Sequence, residues 1–177
     1  MLIDCPACGR SAVLIRNGLH YGNAPDQSGD TRIIRGQRIR CSNRGNRCGC
    51  GCSFSIFESE RIPGRSIDTS WLQSLLLYLL QQAGCMHAAW LKTSRQFSLR
   101  TAYRIWRRID LEQTTLRHRL CQCTGPPNST QLDPRLELIE HLRAAFIGND
   151  FVCAYQKHFQ TSILPVYTKH SATPSAM

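Results

Sequence analysis

Ten cysteines are the side chains best able to do chemistry in this 177-residue chain, and six of them fall within the first 52 positions. Cys5-Pro6-Ala7-Cys8-Gly9 has the Cys-x2-Cys-Gly form of a knuckle, in which two thiolates face one cation and the glycine eases the turn. A tetrahedral site needs two more ligands. Cys41, Cys48, Cys50 and Cys52 are the supply. Cys41 is the natural third ligand, because it ends the strand-like run Arg38-Ile39-Arg40. The fourth is open among the other three. Cys50 is preferred, since Cys50-Gly51 repeats the Cys8-Gly9 step and leads into the next strand; Cys48 is the runner-up. The eight residues between Cys41 and Cys50 require an inserted loop in the second knuckle. Four sulfur ligands close the shell of a zinc ion and leave no water position. The expected cofactor is therefore one structural Zn2+ on Cys5, Cys8, Cys41 and Cys50. His20, between the knuckles, is a weaker substitute ligand. Cys85, Cys121, Cys123 and Cys153 have no partner at ligand spacing and read as core or incidental.

The second chemical feature is charge. The chain carries 22 Lys and Arg against 12 Asp and Glu, a net charge of +10, and 19 of the cations are arginine. Residues 1–119 hold eighteen cations against eight acids, whereas residues 120–177 hold four of each. A basic part joined to a neutral part is the footprint of polyanion binding, and arginine suits phosphate. The longest apolar run, Leu75 to Leu80, is far short of the ~18 residues a membrane span needs. No basic segment followed by an apolar one marks a signal peptide at the N-terminus. A cytoplasmic chain is expected, where paired cysteines mean metal more often than disulfide.

These side chains need elements to position them. Val13–Ile15, Arg38–Arg40 and Phe54–Phe57 read as strands, with a polar loop over 22–30. Arg61-Ile62-Pro63-Gly64-Arg65 reads as a linker. A helix starts after Ser66 or Asp68, buries Trp71, Leu72, Leu75, Leu76, Leu79 and Leu80, and stops at Gly84. A short helix covers His87–Leu91, a polar turn follows over 92–96, and a third helix begins after Ser98 and runs to Ile109 or Leu120. Its expected buried side is Leu99, Ala102, Tyr103, Trp106 and Ile109. Arg100, Arg104, Arg107 and Arg108 then share the opposite face, with Thr101 beside them. A short helix, a polar turn and a helix with an apolar back and a basic front is the helix-turn-helix plan. Arg100 and Arg104 would meet base edges; Arg107 and Arg108, with Arg35, Arg38 and Arg40, would hold phosphates. The three tryptophans read as core rather than as stacking platforms. Phe54 and Phe57, on opposite strand faces, are the aromatic candidates for an RNA-binding sheet. After a Pro-rich linker at 123–130, Asp133-Pro134 starts a helix running to about Gly148, and Asp150 caps a last one through Phe159; the tail from Thr168 is small and polar.

The expected architecture is thus a small β zinc ribbon (1–60), an all-α helix-turn-helix domain (66–120) and a short helical C-terminal appendage (131–165). The Cys-Pro-x-Cys-Gly motif, the Arg38–Cys41 strand end, Cys50-Gly51-Cys52-Ser53-Phe54 and the Arg100–Arg108 run together resemble the N-terminal DNA-binding region of bacterial insertion-sequence transposases. The resemblance covers about residues 1–110. It implies double-stranded DNA as the partner, a bacterial cytoplasm with the protein at the nucleoid, and a second copy or a transposase as protein partner. Such transposases cut DNA with three carboxylates on an RNase H-like sheet. Residues 120–177 hold only Asp133, Glu137, Glu140 and Asp150, at helical or capping positions. The reading is sequence-directed DNA binding, as a regulator or transposase-associated protein, without a nuclease, other enzymatic activity or a small-molecule substrate. The competing readings are an RNA- or protein-interaction zinc module and the remnant of a truncated transposase.

Overall fold

The computed structural model describes residues 4–23, 32–93, 97–148 and 150–164. Three strands, β1 (Leu14–Asn23), β2 (Arg32–Cys41) and β3 (Ser53–Phe57), precede five helices: α1 (Thr69–Gln81), α2 (Met86–Lys92), α3 (Leu99–Leu120), α4 (Pro134–Ala145) and α5 (Phe151–Phe159). A small β part followed by helices is the expected order. The chain divides into two compact units, Met1–Leu72 and Gln73–Met177. The division falls inside α1 rather than at the 61–65 linker, and residues 131–165 share a unit with α3. The expected loop at 24–30, turn positions 94–96 and the tail from 168 lie outside the described residues.

In the first unit the strands form an antiparallel sheet of order β1-β2-β3. β1 and β2 run well past the three-residue stretches expected for them, Val13–Ile15 and Arg38–Arg40, because backbone pairing from Leu14↔Cys41 to Asn23↔Arg32 carries them through polar residues. Gly22, read as the start of a loop, lies in β1 opposite Ile33. A Cβ there would collide with the Arg35 side chain, so only glycine fits. The register steps from His20↔Gly36 to Tyr21↔Ile34 and leaves Arg35 unopposed. Such a bulge re-aims its side chain. Arg35 is 6% exposed; its Nη2 donates to Asp68 Oδ1 at 2.8 Å and its Nη1 to the Arg65 carbonyl at 2.8 Å. Arg61 Nη1 donates to the same Asp68 oxygen at 2.6 Å. The Asp68 carboxylate, expected as a helix cap, is thus engaged by two guanidinium groups just before α1.

Burial on this sheet is sparse. Of the strand residues with described side chains, only Arg35, Gly36 and Cys41 are buried, while Leu19, Tyr21, Ile34 and Ile56 are 40–58% exposed. Tyr21 is an exposed sheet aromatic that the alternation argument over Phe54 and Phe57 overlooked.

The second unit has a conventional apolar interior. Leu75, Leu76 and Leu79 of α1 are fully buried, and Gly84 ends the turn after it at φ +83°. Ser98 caps α3, its Oγ accepting from the Thr101 N–H at 3.3 Å. The helix buries Ala102, Ile105, Trp106, Ile109, Glu112, Leu116 and Leu120. Two expectations are corrected here. Tyr103 is 52% exposed and Leu99 half-buried, whereas Ile105 is fully buried. At about 100° per residue, the line from Ala102 to Leu120 puts Tyr103 roughly a third of a turn off the buried centre. α4 packs on α3: Arg117 Nη2 donates to Glu137 Oε2 at 2.9 Å, and the Arg135 guanidinium lies 4.7 Å from the Trp106 ring centre. Asp133 and Asp150 cap α4 and α5 as expected, accepting from the amides of Arg135 (2.9 Å) and Cys153 (2.7 Å). α4 ends at Ala145, short of Gly148.

The corrected α3 face makes a paired prediction. Ile105→Ala opens a cavity and should cost about 2–5 kcal/mol, whereas Tyr103→Ala should stay within about 0.5 kcal/mol; denaturant unfolding followed by circular dichroism compares them. A pH series adds a second. Bonds from Arg135 and Arg117 hold the Asp133 and Glu137 carboxyls below their usual range. Their contribution is full at neutral pH and disappears as pH falls below ~4. Glu137→Gln should flatten that acid loss in the same unfolding assay.

Candidate metal centre

The Sγ atoms of Cys5, Cys8, Cys41 and Cys50 all lie within 4.8 Å of one another. Cys5 and Cys50 are 3.8 Å apart, and so are Cys8 and Cys41. A tetrahedron with bonds of ~2.3 Å to sulfur has edges of roughly 3.8 Å. These are two opposite edges of such a tetrahedron, each far longer than the ~2.05 Å of a disulfide. The four thiols can hold one metal ion.

The backbone builds the same turn twice. In the first knuckle the Gly9 N–H donates to the Cys5 carbonyl at 2.7 Å; in the second the Gly51 N–H donates to the Cys41 carbonyl at 2.9 Å. Gly9 and Gly51 take φ +68° and +80°, a region costly for any residue with a Cβ. The Cys50 N–H points at Cys41 Sγ at 3.2 Å, the kind of bond that stabilises a thiolate ligand. β2 delivers Cys41, tied by its own N–H to the Cys52 carbonyl at 2.8 Å, while the Ser42 N–H bonds to the Val13 carbonyl at 2.8 Å. The choice left open by spacing falls on Cys50. Cys48 and Cys52 stand outside the cluster and are exposed. His20 is no ligand in it either; its Nε2 lies 2.6 Å from Ser55 Oγ and its ring stacks on Phe57.

The thiols differ electrostatically. Burial opposes the thiolate of Cys5, but the amides of Ala7 and Cys8 and the thiols of Cys41 and Cys8 together outweigh it and bring the pKa down to about 7. Burial pushes Cys41 up to about 12, and the Cys50 amide only partly offsets this. At neutral pH an incoming cation must therefore displace the Cys41 proton, so metal affinity falls as pH falls.

The predicted DNA-contacting residues divide. Arg100, Arg104 and Arg107 are exposed along α3 and have no partner among the described residues. Arg108 is half-buried and engaged. Thr101 is half-buried, its hydroxyl 3.1 Å from Ser98 Oγ, serving the helix start. On the sheet Arg38 is exposed and Arg40 half-buried. Arg35 is a correction: its bulge position sends the guanidinium inward to Asp68, so no free charge remains for a phosphate. Elsewhere Cys153 is buried, Cys85 and Cys121 are exposed, and Cys123 Sγ meets His158 Nε2 at 3.4 Å.

Purified protein should carry about one equivalent of metal. Cys8→Ser and Cys50→Ser should each lose most of it, and Cys48→Ser and Cys121→Ser should keep it; elemental analysis after gel filtration is the readout. Retention in Cys50→Ser with loss in Cys48→Ser would reassign the fourth ligand.

Compared with known proteins, the chain matches no family model, no curated protein and no solved structure with significant similarity.

Proposed function

We propose that the protein binds double-stranded DNA through α3, with a structural zinc ion holding its N-terminal unit. The observation that carries this reading is the face of α3 opposite Ala102, Ile105, Trp106 and Ile109. There Arg100, Arg104 and Arg107 are exposed and no carboxylate among the described residues pairs with them. An acid three or four residues away can stabilise an arginine on a solvated helix; the one such acid here, Asp110, three residues after Arg107, instead accepts from Gln113 at 2.7 Å. Three unpaired guanidinium groups in two turns instead suit a polyanion. Arginine's fork fits both the phosphate oxygens and the O6 and N7 edge of guanine. Zinc is the natural ion for four thiolates in a tetrahedron, and a closed sulfur shell supports a structural rather than a catalytic role. On the sequence resemblance alone, the proposal extends to a transposase-associated DNA binder or a regulator.

A second reading has an observation of its own. Leu19, Tyr21, Ile34 and Ile56 leave the sheet with apolar side chains in solvent, which suits an RNA- or protein-binding sheet.

The test is duplex binding by the full chain over a salt series. Arg100→Ala with Arg104→Ala should cost roughly 1–3 kcal/mol on a preferred site and relax its sequence preference. Arg107→Ala with Arg108→Ala should weaken all duplexes about equally and lower the salt slope by about one, since Arg108 is already engaged. If both pairs keep their fold by circular dichroism and bind duplex like the parent at ~150 mM salt, α3 is not the DNA-binding surface. Tighter binding of single-stranded RNA, lost in Tyr21→Ala, would favour the sheet instead.

A further inference from the structure

The eight residues between Cys41 and Cys50 do not form a wide ring around the metal. The Gly49 N–H donates to the Ser42 carbonyl at 2.8 Å, so the segment is pinched shut one residue inside each ligand. A Cβ on Gly49 would collide with the Ser42 carbonyl and lie 2.7 Å from Cys41 Sγ, so the neck closes against the cluster itself. Residues 43–48 lie wholly beyond this neck. Without them the chain would read Cys41-Ser42-Gly49-Cys50-Gly51, a Cys-x2-Cys-Gly knuckle like Cys5–Gly9. The shared Gly-to-Cys backbone bond and the shared positive φ of Gly9 and Gly51 show that the insertion has left the turn intact.

We infer that Asn43–Cys48 is a finger inserted into a complete knuckle, and that it binds the phosphate backbone of duplex DNA through Arg44 and Arg47. This rests on the DNA-binding reading above and adds a second contact to it. All six residues are exposed. The finger, Asn43-Arg44-Gly45-Asn46-Arg47-Cys48, has two cations and no acid. Neither guanidinium has a partner among the described residues, in contrast to Arg35 and Arg61 of the same unit, which are held by Asp68. A third cation stands at the root, since Arg10, next after the first knuckle, donates through Nη1 to the Cys48 carbonyl. That bond fastens the finger's return arm to the opposite knuckle. The Arg44 N–H bonds to Ser42 Oγ at 3.3 Å on the outgoing arm. The base is therefore anchored on both sides, which reduces the ordering cost of placing the arginines on a ligand. The residues between them are glycine and asparagine, with no apolar anchor of the kind a protein partner would require. Forked donors on a polar, exposed loop match phosphate oxygens, which carry no sequence information.

The experiment uses the full zinc-loaded chain, a variant lacking residues 43–48, and Arg44→Ala with Arg47→Ala. Metal content is measured first, then binding to one labelled duplex and to a single-stranded RNA of equal length across a salt series. The deletion should keep about one equivalent of zinc. Both variants should bind duplex more weakly, with the slope of log affinity against log salt reduced by about two, close to 0.9 per phosphate lost. Zinc loss in the deletion overturns the finger as an insertion in a complete knuckle. An unchanged duplex slope in the double arginine variant overturns its phosphate contacts, and if the α3 variants still weaken binding, the DNA-binding reading survives without the finger. A parent that binds no duplex overturns both. Finger-dependent binding that is tighter on RNA than on duplex overturns the choice of DNA.

Discussion

The first unit depends on bringing four thiols to one point. Its sheet has almost no interior of its own. Around the cluster the buried apolar side chains are Cys5, Val13 and Cys41, with Leu14 half-buried beside them. A fully buried aliphatic side chain contributes about 1.5–3 kcal/mol, while fixing one residue's backbone costs about 1–2 kcal/mol. Ile62, Ile67, Trp71 and Leu72 of the same unit are also buried, but outside this cluster; where the knuckles meet, one valine and two cysteines cannot by themselves offset the ordering of the strand ends and turns. A structural zinc, the ion proposed for this site, would supply roughly 10–16 kcal/mol at neutral pH. On this account the metal takes the place of a hydrophobic core at the knuckle end of the sheet, while Leu19, Tyr21, Ile34 and Ile56 stay in solvent.

The remaining arginines follow from where the backbone can aim them. The bulge at Arg35 turns one cation of the basic first unit inward, and Asp68 holds it there together with Arg61. Arg44 and Arg47 escape this because the pinch between Ser42 and Gly49 throws them clear of the sheet. On α3 the same sorting is done by helical phase. Arg100, Arg104 and Arg107 fall opposite the buried stripe, and Arg108 falls nearer the Glu112 edge, where it is engaged. Net charge of +10 thus overstates the charge open to a ligand and does not locate it.

Much of this was legible in the residues. Cys5, Cys8 and Cys41 announced themselves by spacing and by the strand before Cys41, and the Cys-Gly repeat favoured Cys50 over its neighbours. The caps at Ser98, Asp133 and Asp150 were readable because a short polar side chain just before an apolar-periodic run has few other uses. The failures have physical causes. β1 and β2 were underestimated because backbone pairing, not apolar alternation, extends them. Arg35 was misplaced because a bulge is a register property of two strands, invisible in either alone. Tyr103 was assigned to the core because Leu99 and Tyr103 also follow a three-to-four spacing and pulled the apolar stripe away from Ile105, the residue that is buried. The neck between Ser42 and Gly49 depends on a backbone hydrogen bond that no side-chain pattern encodes.

The most direct measurement is amide hydrogen exchange of the full chain before and after its bound metal is removed by a chelator under reducing conditions. If the cluster stands in for a core, metal-free protein should lose protection along the β1–β2 pairs, including the Ile39 and Cys41 amides, while the Ala102–Leu116 amides of α3 stay protected. Strand amides that remain as protected without metal as with it would contradict the account, because the sheet would then be held by something other than the four thiols.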